Sequence, residues 1–405
     1  MLPEGWKLSN LGLIGKWAGG KTPSKANDSF WSNGTIPWVS PKDMITGKIF
    51  STEDYITQVA IQENKNRLYP SGSIVVVTRS GILRKKLPVA IVEVPFTVNQ
   101  DIKVLPDNKN IISEYIYNYI MCFEKIILKS CQKEGTTVES IDTDSFLSFP
   151  ISLPPLPEQK KIAAILSTWD RAIEGTEKLL ANSQQQKKSL MQQLLTAKKR
   201  LPGFVGEWER VKISDIANIR TSVSKAKYFS KDGERFIVDM GSVDRQGKLK
   251  CTKKTHHDGD VLEKGTLIMP KDDIGGGNII GKTAIIAHNN LYVMSDHVYA
   301  LHIHDCYSGF IHFLINSYEI NKSLLRKANG TAQLGLGRKE VLKQEIRIPP
   351  SLPEQKAIAA VLTTADDEIT AIKADLERLR REKKALMQQL LTGKRRVVVD
   401  AEVSA

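Results

Sequence analysis

The 405-residue chain contains one long stretch twice. Residues 156–166 read LPEQKKIAAIL, and residues 352–362 read LPEQKAIAAVL. At the same offset, KKSLMQQLLTAKKR at 187–200 recurs as KKALMQQLLTGKRR at 383–396. Any fold of this chain must accommodate two long and nearly identical segments. This internal duplication restricts the possible folds more than any other feature of the sequence.

Each copy is predicted to be a helix. Pro157-Glu158 and Pro353-Glu354 are typical of a helix N-terminus, where proline fits the first turn and an acid complements the helix dipole. Apolar residues then recur at alternating steps of three and four, which is the spacing of a coiled-coil seam. Gly175 is the one residue that interrupts the pattern. We predict two helices of about 40 residues, roughly 60 Å each, that pack against each other.

The composition bounds the class of protein. The chain is 41% hydrophobic and 25% charged, as expected for a soluble protein of two or three domains. Its formal charge of +13 favours a polyanionic partner such as nucleic acid, although an ordinary basic protein is the alternative. Four scattered cysteines predict reduced thiols, and the sequence has no signal peptide or apolar run for a membrane span. We expect a cytoplasmic protein with no membrane contact.

The regions between the repeated segments also resemble each other. Each has strand-like runs, such as Thr97 to Leu105 in the first region. A helix follows them, predicted at Ser113 to Lys129 in the first region and near Tyr307 to Ala328 in the second. Gly72 and Gly265 precede equivalent strands, and Gly135-Thr136 matches Gly330-Thr331. The predicted boundaries are a first domain at 1–153, a helix at 154–200, a second domain at 201–349, a helix at 350–396 and a loose tail at 397–405.

The segment Gly276 to Thr283, GGNIIGKT, satisfies the phosphate-loop pattern G-x-x-x-x-G-K-[ST]. Such a loop must open a helix, but the following residues, AIIAHNNLYVM, favour a strand and hairpin. We therefore expect a glycine-rich hairpin loop that approaches a phosphate backbone through its amides rather than a nucleotide site.

Catalytic and metal-binding patterns are sparse. All seven histidines lie in the second domain, and His302 and His304 share one face of a predicted strand, which permits a metal pair. A third ligand at a familiar spacing is missing, so surface polar roles explain them equally well, and we predict no metal. The sequence has no nucleophile elbow, H-E-x-x-H motif or methyltransferase tetrad, which favours a binding protein over a catalyst.

Basic residues cluster in the predicted loops of both domains. Lys and Arg hold phosphates, whereas Arg, Asn, Gln and Ser can read base edges. For any single residue a solvated charge is the simpler interpretation, but the set on a duplicated unit favours DNA contact. The second domain's basic loops also contain Lys250, Lys253 and Lys254. The candidate DNA-binding residues are Lys21, Thr22, Lys25, Trp38, Ser40, Lys42, Arg79, Ser80, Arg84, Lys85, Lys86, Asn99 and Gln100 in the first domain, and Arg220, Lys225, Lys227, Arg245, Lys248, Lys271, Asn278 and Lys282 in the second.

These motifs together resemble the specificity (S) subunit of Type I restriction-modification systems. The resemblance is carried by GGKTPS at 19–24, IPWVSPKDM at 36–44, TRSG at 78–81 and the twice-occurring P-x-L-P-E-Q-x-x-I-x-x-x-L helix start. It implies an α+β fold: two mixed α/β target recognition domains joined by two long helices that form an antiparallel coiled coil, with pseudo-two-fold internal duplication. The second domain departs from the pattern, with FIVDMGSV at 236–243.

The same resemblance implies the function and partners. Each domain is expected to read one half of a bipartite, asymmetric target in double-stranded DNA. Two methyltransferase (M) subunits carry S-adenosylmethionine and methylate adenine N6, and motor-nuclease (R) subunits use ATP and Mg to cut unmethylated DNA. No cofactor is expected on this chain. The alternatives are a stand-alone DNA-binding regulator and a coiled-coil scaffold without a methyltransferase partner.

Antiparallel helices would make the coiled coil a spacer between the two domains. They would also place the start of one helix beside the end of the other at two similar junctions. We expect each junction to dock one methyltransferase subunit, the alternative being a repeat retained from an ancestor. The expected docking residues are Glu158, Gln159, Ile162, Met191, Gln192, Leu195, Glu354, Gln355, Ile358, Met387, Gln388 and Leu391.

Overall fold

The computed structural model describes residues 2–133, 138–331 and 333–399. Within it the chain divides into two compact units. Unit 1 contains the chain up to Glu177 together with the residues from Asp375 onward, and unit 2 contains Lys178–Ala374. The landmark Gly135-Thr136 and the end of the predicted tail, residues 400–405, lie outside the described residues.

The described part of unit 1 contains ten strands, three short or medium α-helices and parts of two long ones. The strands are β1 Lys7–Asn10, β2 Ala18–Gly19, β3 Ile36–Val39, β4 Lys48–Ile49, β5 Asp54–Ile56, β6 Ser73–Val77, β7 Val89–Val92, β8 Thr97–Val98, β9 Ile102–Leu105 and β10 Pro150–Leu153. The helices are α1 Gln58–Glu63, α2 Ser113–Cys131, α3 Thr143–Leu147 and the long α4 Leu156–Leu194, which continues into unit 2.

Unit 2 repeats this plan. Its strands are β11 Glu209–Lys212, β12 Ala217–Arg220, β13 Arg235–Val238, β14 Lys254–Thr255, β15 Leu267–Pro270, β16 Asp272–Asp273, β17 Ala284–Ile285, β18 Tyr292–Met294, β19 Val298–Ile303, β20 Leu334–Gly335 and β21 Glu345–Ile348. Its helices are α5 Ser308–Asn316, α6 Tyr318–Arg326, α7 Arg338–Leu342 and the long α8 Leu352–Leu390, which continues into unit 1.

The two units share one sheet topology. The largest sheet has the order β2-β9-β6-β7-β4 in unit 1 and β12-β19-β15-β17 in unit 2. A second sheet has the order β5-β3-β8 in unit 1 and β14-β13-β18 in unit 2, and its β3–β8 and β13–β18 pairs are both parallel. The first and last strands of each domain pair with each other, β1 with β10 and β11 with β21. The predicted duplication is therefore confirmed at the level of strand order.

The hydrophobic pattern explains where each core lies. β6 reads SIVVV and is buried along its whole length, as expected for a β-branched central strand covered on both faces. In unit 1, Trp6 packs in one cluster with Ile162 of α4 and Leu390 of α8. In unit 2, Trp208 packs with Leu194 of α4 and Ile358 of α8. Each core thus includes the start of one long helix and the end of the other.

The long helices follow the prediction. Each spans 39 residues, and each ends six residues before the predicted boundary at 200 or 396. Within unit 1 the partners of α4 run backwards along α8, with Asp170 bonded to Lys383 and Glu177 to Arg380. The same antiparallel pairing holds within unit 2, where Ser183 bonds to Glu368 and Lys187 to Asp366. The α4 helix passes through Gly175 without a break.

Two predicted elements are wrong in detail. The helix expected near Tyr307 to Ala328 is two helices, α5 and α6, because Ser317 adopts an extended conformation between them (φ −60°, ψ 153°). The strand predicted at Thr97 to Leu105 is split into β8 and β9. There the side chains of Asn99 and Asp101 bond to each other at 3.0 Å and close a turn.

Two further expectations concern the cysteines and the membrane. All four cysteines are free, as the sequence predicted, and burial raises the pKa of Cys251 to about 11. None of the helices in the described parts of the chain combines the length and apolar character required to cross a membrane.

Candidate DNA-binding surfaces

The loop before β3 in unit 1 presents a cation on an aromatic platform. The ammonium of Lys25 lies 3.6 Å from the ring centroid of Trp31, which contacts Trp38 edge to face at 5.2 Å. Trp38 is buried, and its indole N–H donates to the carbonyl of Lys21 at 3.2 Å. Cation–π and aromatic contacts of this kind fix a flexible lysine in one position.

A second cation, Lys42, lies in the turn after β3. Its ammonium contacts Glu53 at 2.9 Å and Asp54 at 3.0 Å, and hydrogen bonds to these two acids raise its pKa. Lys25 also approaches Asp54, at 3.5 Å. Asp54 therefore links the two candidate lysines into one charged patch.

Side-chain contacts extend this patch across the sheet edge. Thr22 donates to the side chain of Gln100 at 2.6 Å, and the neighbouring Asp101 pairs with Arg79 at 3.1 Å. Arg84 pairs with Glu139, whose backbone carbonyl accepts from the amide of Ser80 at 3.0 Å. Lys85 and Lys86, which follow Arg84 in the sequence, are also exposed. The structure therefore gathers the unit 1 candidates on neighbouring loops.

Three unit 1 candidates are buried. Ser40 closes the turn after β3 through a 2.9 Å bond to Asp43, and Asn99 bonds to Asp101. Trp38 lies beneath Lys25. These contacts fix the loops, and direct DNA contact by the three residues stays a prediction.

Unit 2 has an open cleft at the equivalent sheet edge. Its volume is about 740 Å³. Polar and charged groups alternate with apolar ones around it. Its lining includes Phe229, Asp239, Met240, Lys253, Asp296 and His297. A concave site with a few convergent polar groups is the usual form of a binding site.

Several unit 2 candidates are committed to internal contacts. Lys225 is 2% exposed and pairs with Asp260 at 2.7 Å, so its ammonium already has a partner inside the unit, and its contact with DNA stays a prediction. Burial lowers the pKa of Lys282, whose ammonium lies 3.4 Å from the carbonyl of Asn316. Arg220 donates to the carbonyl of Val261 at 3.0 Å, and Lys248 donates to Thr370 of α8 at 2.9 Å.

The remaining unit 2 candidates are accessible. Lys227 lies 4.9 Å from the ring of Tyr228, which stacks on His257 at 4.2 Å. Arg245 is exposed, and Lys271 is partly exposed beside β16. The sequence pattern placed Lys253 only in the general set of basic residues and did not select His297. A single histidine gives no periodic signal.

The glycine-rich loop is not a nucleotide site. Residues 276–283 lead into the short strand β17 rather than a helix, as expected. The buried carboxylate of Asp273 accepts from the amides of Gly275, Ile279 and Ile280 at 2.5, 2.8 and 3.4 Å. Within the loop, the amides of Ile279 and Ile280 therefore already have an acceptor, and an approach of the loop to a DNA phosphate stays a prediction. Asn278 is exposed and donates to the carbonyl of Gly275.

The histidine pair forms no metal centre in the described structure. Burial lowers the pKa of His302, and Nδ1 of His304 lies 3.0 Å from Asp305. Among the described residues no group of three or more His, Cys, Asp or Glu side chains is arranged to hold a metal ion.

The helix junctions differ from the expected docking surface. Eight of the twelve expected docking residues are buried within their own unit: Glu158, Gln159, Ile162, Leu195, Glu354, Gln355, Ile358 and Leu391. Gln159 accepts from the amide of Ile112 at 3.0 Å, and Gln355 accepts from that of Tyr307 at 2.8 Å. In this structure these eight residues pack between the long helices and the rest of their own unit, and their part in docking a partner stays a prediction.

Comparison with known proteins agrees with this duplicated architecture. The model of the Type I restriction modification DNA specificity domain matches residues 3–182 and again 206–381. The chain therefore belongs to the family of type I restriction-modification DNA specificity proteins, and the resemblance drawn from its motifs is confirmed. As a member of this family it serves DNA sequence recognition and is a targeting rather than a catalytic subunit.

Individual relatives support the assignment. The chain is 47% identical over 165 residues to the Type I restriction enzyme EcoR124I/EcoR124II specificity subunit of Escherichia coli, a match that covers 41% of this chain and 40% of that protein. It is 27% identical over 421 aligned residues to the MjaVIII specificity subunit of Methanocaldococcus jannaschii, covering 98% and 94%.

Solved structures show the same fold. The crystal structure of a type I restriction-modification S subunit from M. genitalium matches with a TM-score of 0.62 at 14% identity, covering 96% of both chains. A chain from a structure describing complex assembly and conformational transition of the type I R-M system matches with a TM-score of 0.59 at 18% identity, covering 98% of this chain and all of the other. The predicted fold class is confirmed.

Proposed function

We propose that this chain directs a type I restriction-modification complex to a bipartite, asymmetric DNA sequence. Unit 1 reads one half of the target through the loops that carry Lys25, Lys42 and Arg79. Unit 2 reads the other half through the loops around its cleft. The observation that supports this most strongly is the shared strand order of two units whose loops carry different side chains, because a common scaffold with different loops is suited to one task on two targets.

Both units are built to contact DNA through phosphates as well as bases. Lys21, Lys85 and Lys86 are exposed in unit 1, and Lys227 and Arg245 are exposed in unit 2. Lysine and arginine neutralise phosphates and release counterions, so binding should weaken steeply with salt. A coiled-coil scaffold whose domains bind proteins would lack that dependence.

The partners supply the chemistry. Two methyltransferase subunits with S-adenosylmethionine would methylate adenine N6, and motor-nuclease subunits would use ATP and Mg to cut unmethylated DNA. A restriction system acts on DNA inside the cell, so we place the chain in the cytoplasm. Genome-wide mapping of adenine methylation with and without this gene tests the proposal. One bipartite motif should disappear, and an unchanged set of motifs would contradict it.

We also propose that the exposed part of each helix junction docks one methyltransferase subunit. Gln192 on α4 and Gln388 on α8 are exposed at equivalent positions, beside the half-buried Met191 and Met387. Substituting Gln192→Arg and Gln388→Arg together should abolish co-purification of the methyltransferase. Gln185→Arg, an exposed position on the same helix, is the matched control. Unchanged co-purification in the double variant would refute the docking site.

A further inference from the structure

The two units contain equivalent ion pairs with exchanged polarity. In unit 1, Asp54 lies opposite Trp38 of β3 and pairs with Lys42, which lies in the turn after that strand. In unit 2, the carbonyl of Lys253 accepts from the amide of Ile237 of β13 at 2.8 Å, so Lys253 holds the position of Asp54. Its ammonium pairs at 2.6 Å with Asp239, which directly follows β13. The base is now on the neighbouring strand and the acid follows the central strand, where Asp239 occupies the position of Ser40, two residues before that of Lys42.

A second pair shows the same exchange. The amide of Thr78 donates to the carbonyl of Asp101 at 2.8 Å, and the amide of Lys271 donates to that of His297 at 3.0 Å, so Asp101 and His297 are equivalent. In unit 1, the residue after Thr78 is Arg79, which pairs with Asp101. In unit 2, the residue after Lys271 is Asp272, whose carboxylate lies 2.6 Å from Nδ1 of His297.

The basic member faces solvent in all four pairs. The side-chain exposures are 40% for Lys42 and 28% for Asp54, and 60% for Arg79 and 19% for Asp101. In unit 2 they are 60% for Lys253 and 23% for Asp239, and 48% for His297 and 18% for Asp272. The acid therefore anchors a projecting donor in both units, but the donor comes from opposite elements of the sheet edge.

Both unit 2 donors face the same cleft. Lys253 and His297 line it together with Phe229, Met240 and Asp296. Asp272 holds Nδ1 of His297, and Nε2 lies 3.3 Å from Asp296 at the cleft. A carboxylate beside each donor repels a phosphate, whereas the uncharged edge of guanine accepts through O6 and N7 without that repulsion. This favours a base contact over a backbone contact.

We propose that Lys253 and His297 read bases of the half-site recognised by unit 2. Lys42 and Arg79 hold the corresponding role in unit 1, and the exchanged polarity of the pairs is one reason why the two units select different sequences. This inference rests on the proposed function, because it assigns the base-reading side chains of that same DNA-binding subunit.

Selection from a duplex library tests the assignment. The full-length chain, purified with its methyltransferase partner, is compared with Lys253→Gln and His297→Asn variants. Asparagine suits the second position because His297 has a φ of +58°, which asparagine tolerates. Each variant should lose preference at one or more positions of one half-site by about 5-fold to 150-fold, the range for losing one good base contact. The other half-site should remain unchanged. Lys231→Gln, an exposed charge-matched control in unit 2, should leave both preferences intact.

A double variant that reverses one ion pair separates a change in sequence preference from a loss of folding. Asp239→Lys combined with Lys253→Asp restores the ion pair with the polarity of unit 1 but removes the bond that the amide of Gly241 donates to Asp239 at 3.0 Å. The variant should therefore fold, with its melting temperature lowered only by the loss of this cap, while the preferred second half-site changes. A uniform loss of affinity for all sequences, or a folded reversal variant with the original preference, would overturn the assignment and leave the proposed function standing. If the unaltered complex selects no bipartite sequence, the proposed function itself fails.

Discussion

The guanidinium of Arg200 donates hydrogen bonds of 2.6 and 2.7 Å to the two carboxylate oxygens of Glu354. Arg200 follows the end of α4, and Glu354 lies in the first turn of α8, where it is 1% exposed. The equivalent pair in unit 1 joins Arg396, beyond the end of α8, to Glu158 in the first turn of α4. In each unit, an ion pair between a partly exposed arginine and a buried carboxylate therefore links the end of one long helix to the start of the other.

The pair between Arg200 and Glu354 is expected to stabilise unit 2. Arg200→Ala leaves the buried carboxylate of Glu354 without its cation and should destabilise unit 2 by about 3 kcal/mol. Denaturant unfolding followed by circular dichroism measures the change. Arg210→Ala removes the exposed pair with Glu345, at 3.5 Å, and should cost less than about 1 kcal/mol. Equal effects of the two substitutions would contradict the role given to Arg200.

Gly175 offers a stabilising substitution. It lies exposed within α4, and a methyl group placed on it would meet no atom within 4 Å. Gly175→Ala should therefore stabilise the helix by about 1 kcal/mol, since alanine loses less conformational entropy. The equivalent residue of α8 is already Ala371, so Ala371→Gly is the reciprocal control and should lower stability. A melting temperature that falls for Gly175→Ala would show that the helix requires glycine there.

The loop that resembles a phosphate-binding motif depends on Asp273. Asp273→Ala removes the acceptor of three backbone amides and should destabilise unit 2 by about 2–3 kcal/mol. Hydrogen exchange at Ile279 and Ile280 should accelerate by the corresponding factor. Asp258→Ala, an exposed acid of the same unit, is the control. Unaltered exchange at these amides would refute the proposed anchor.

The burial of His312 leads us to expect that the stability of the folded chain depends on pH. Burial lowers its pKa to about 4, below the usual value of an unfolded histidine, and its Nδ1 lies 3.2 Å from the hydroxyl of Thr283. The folded chain therefore disfavours the charged imidazole. The resulting stability is present above about pH 6.5 and is lost as the pH falls towards 4, by on the order of 3 kcal/mol in total.

Unfolding measured between pH 4 and pH 7 tests this dependence. His312→Gln should remove the slope contributed by this group, whereas His288→Gln, at an exposed position, should retain it. An identical pH profile for His312→Gln and the unaltered chain would contradict the assignment.

The long helices were predictable because their signal is periodic and repeated. Ile358, Leu362 and Leu376 are buried at the positions that the coiled-coil spacing indicates. The helix break at Ser317 was not predictable, because the apolar pattern runs through it and the interruption is a backbone conformation. Short strands such as β16 could not be predicted either, because they form only by pairing with residues distant in sequence.

The candidate site was predictable in composition and not in geometry. Exposed Lys25, Lys42 and Arg79 could be identified as basic loop residues. Lys225 looked identical in sequence but is buried against Asp260, because its environment is set by residues 35 positions away. Glu158 and Gln355 suggested a docking surface because both copies of the repeat contain them. Their repetition instead reflects equivalent buried joints in the two units.

If each unit reads its own half of the DNA target, exchanging one unit should change one half-site alone. The most direct measurement replaces residues 201–350 with the corresponding segment of another family member and maps adenine methylation across the genome of cells that carry the complex. We expect a new bipartite motif in which one half-site has changed and the other is retained. A motif with both halves altered, or with neither altered, would contradict the independent reading of half-sites by the two units.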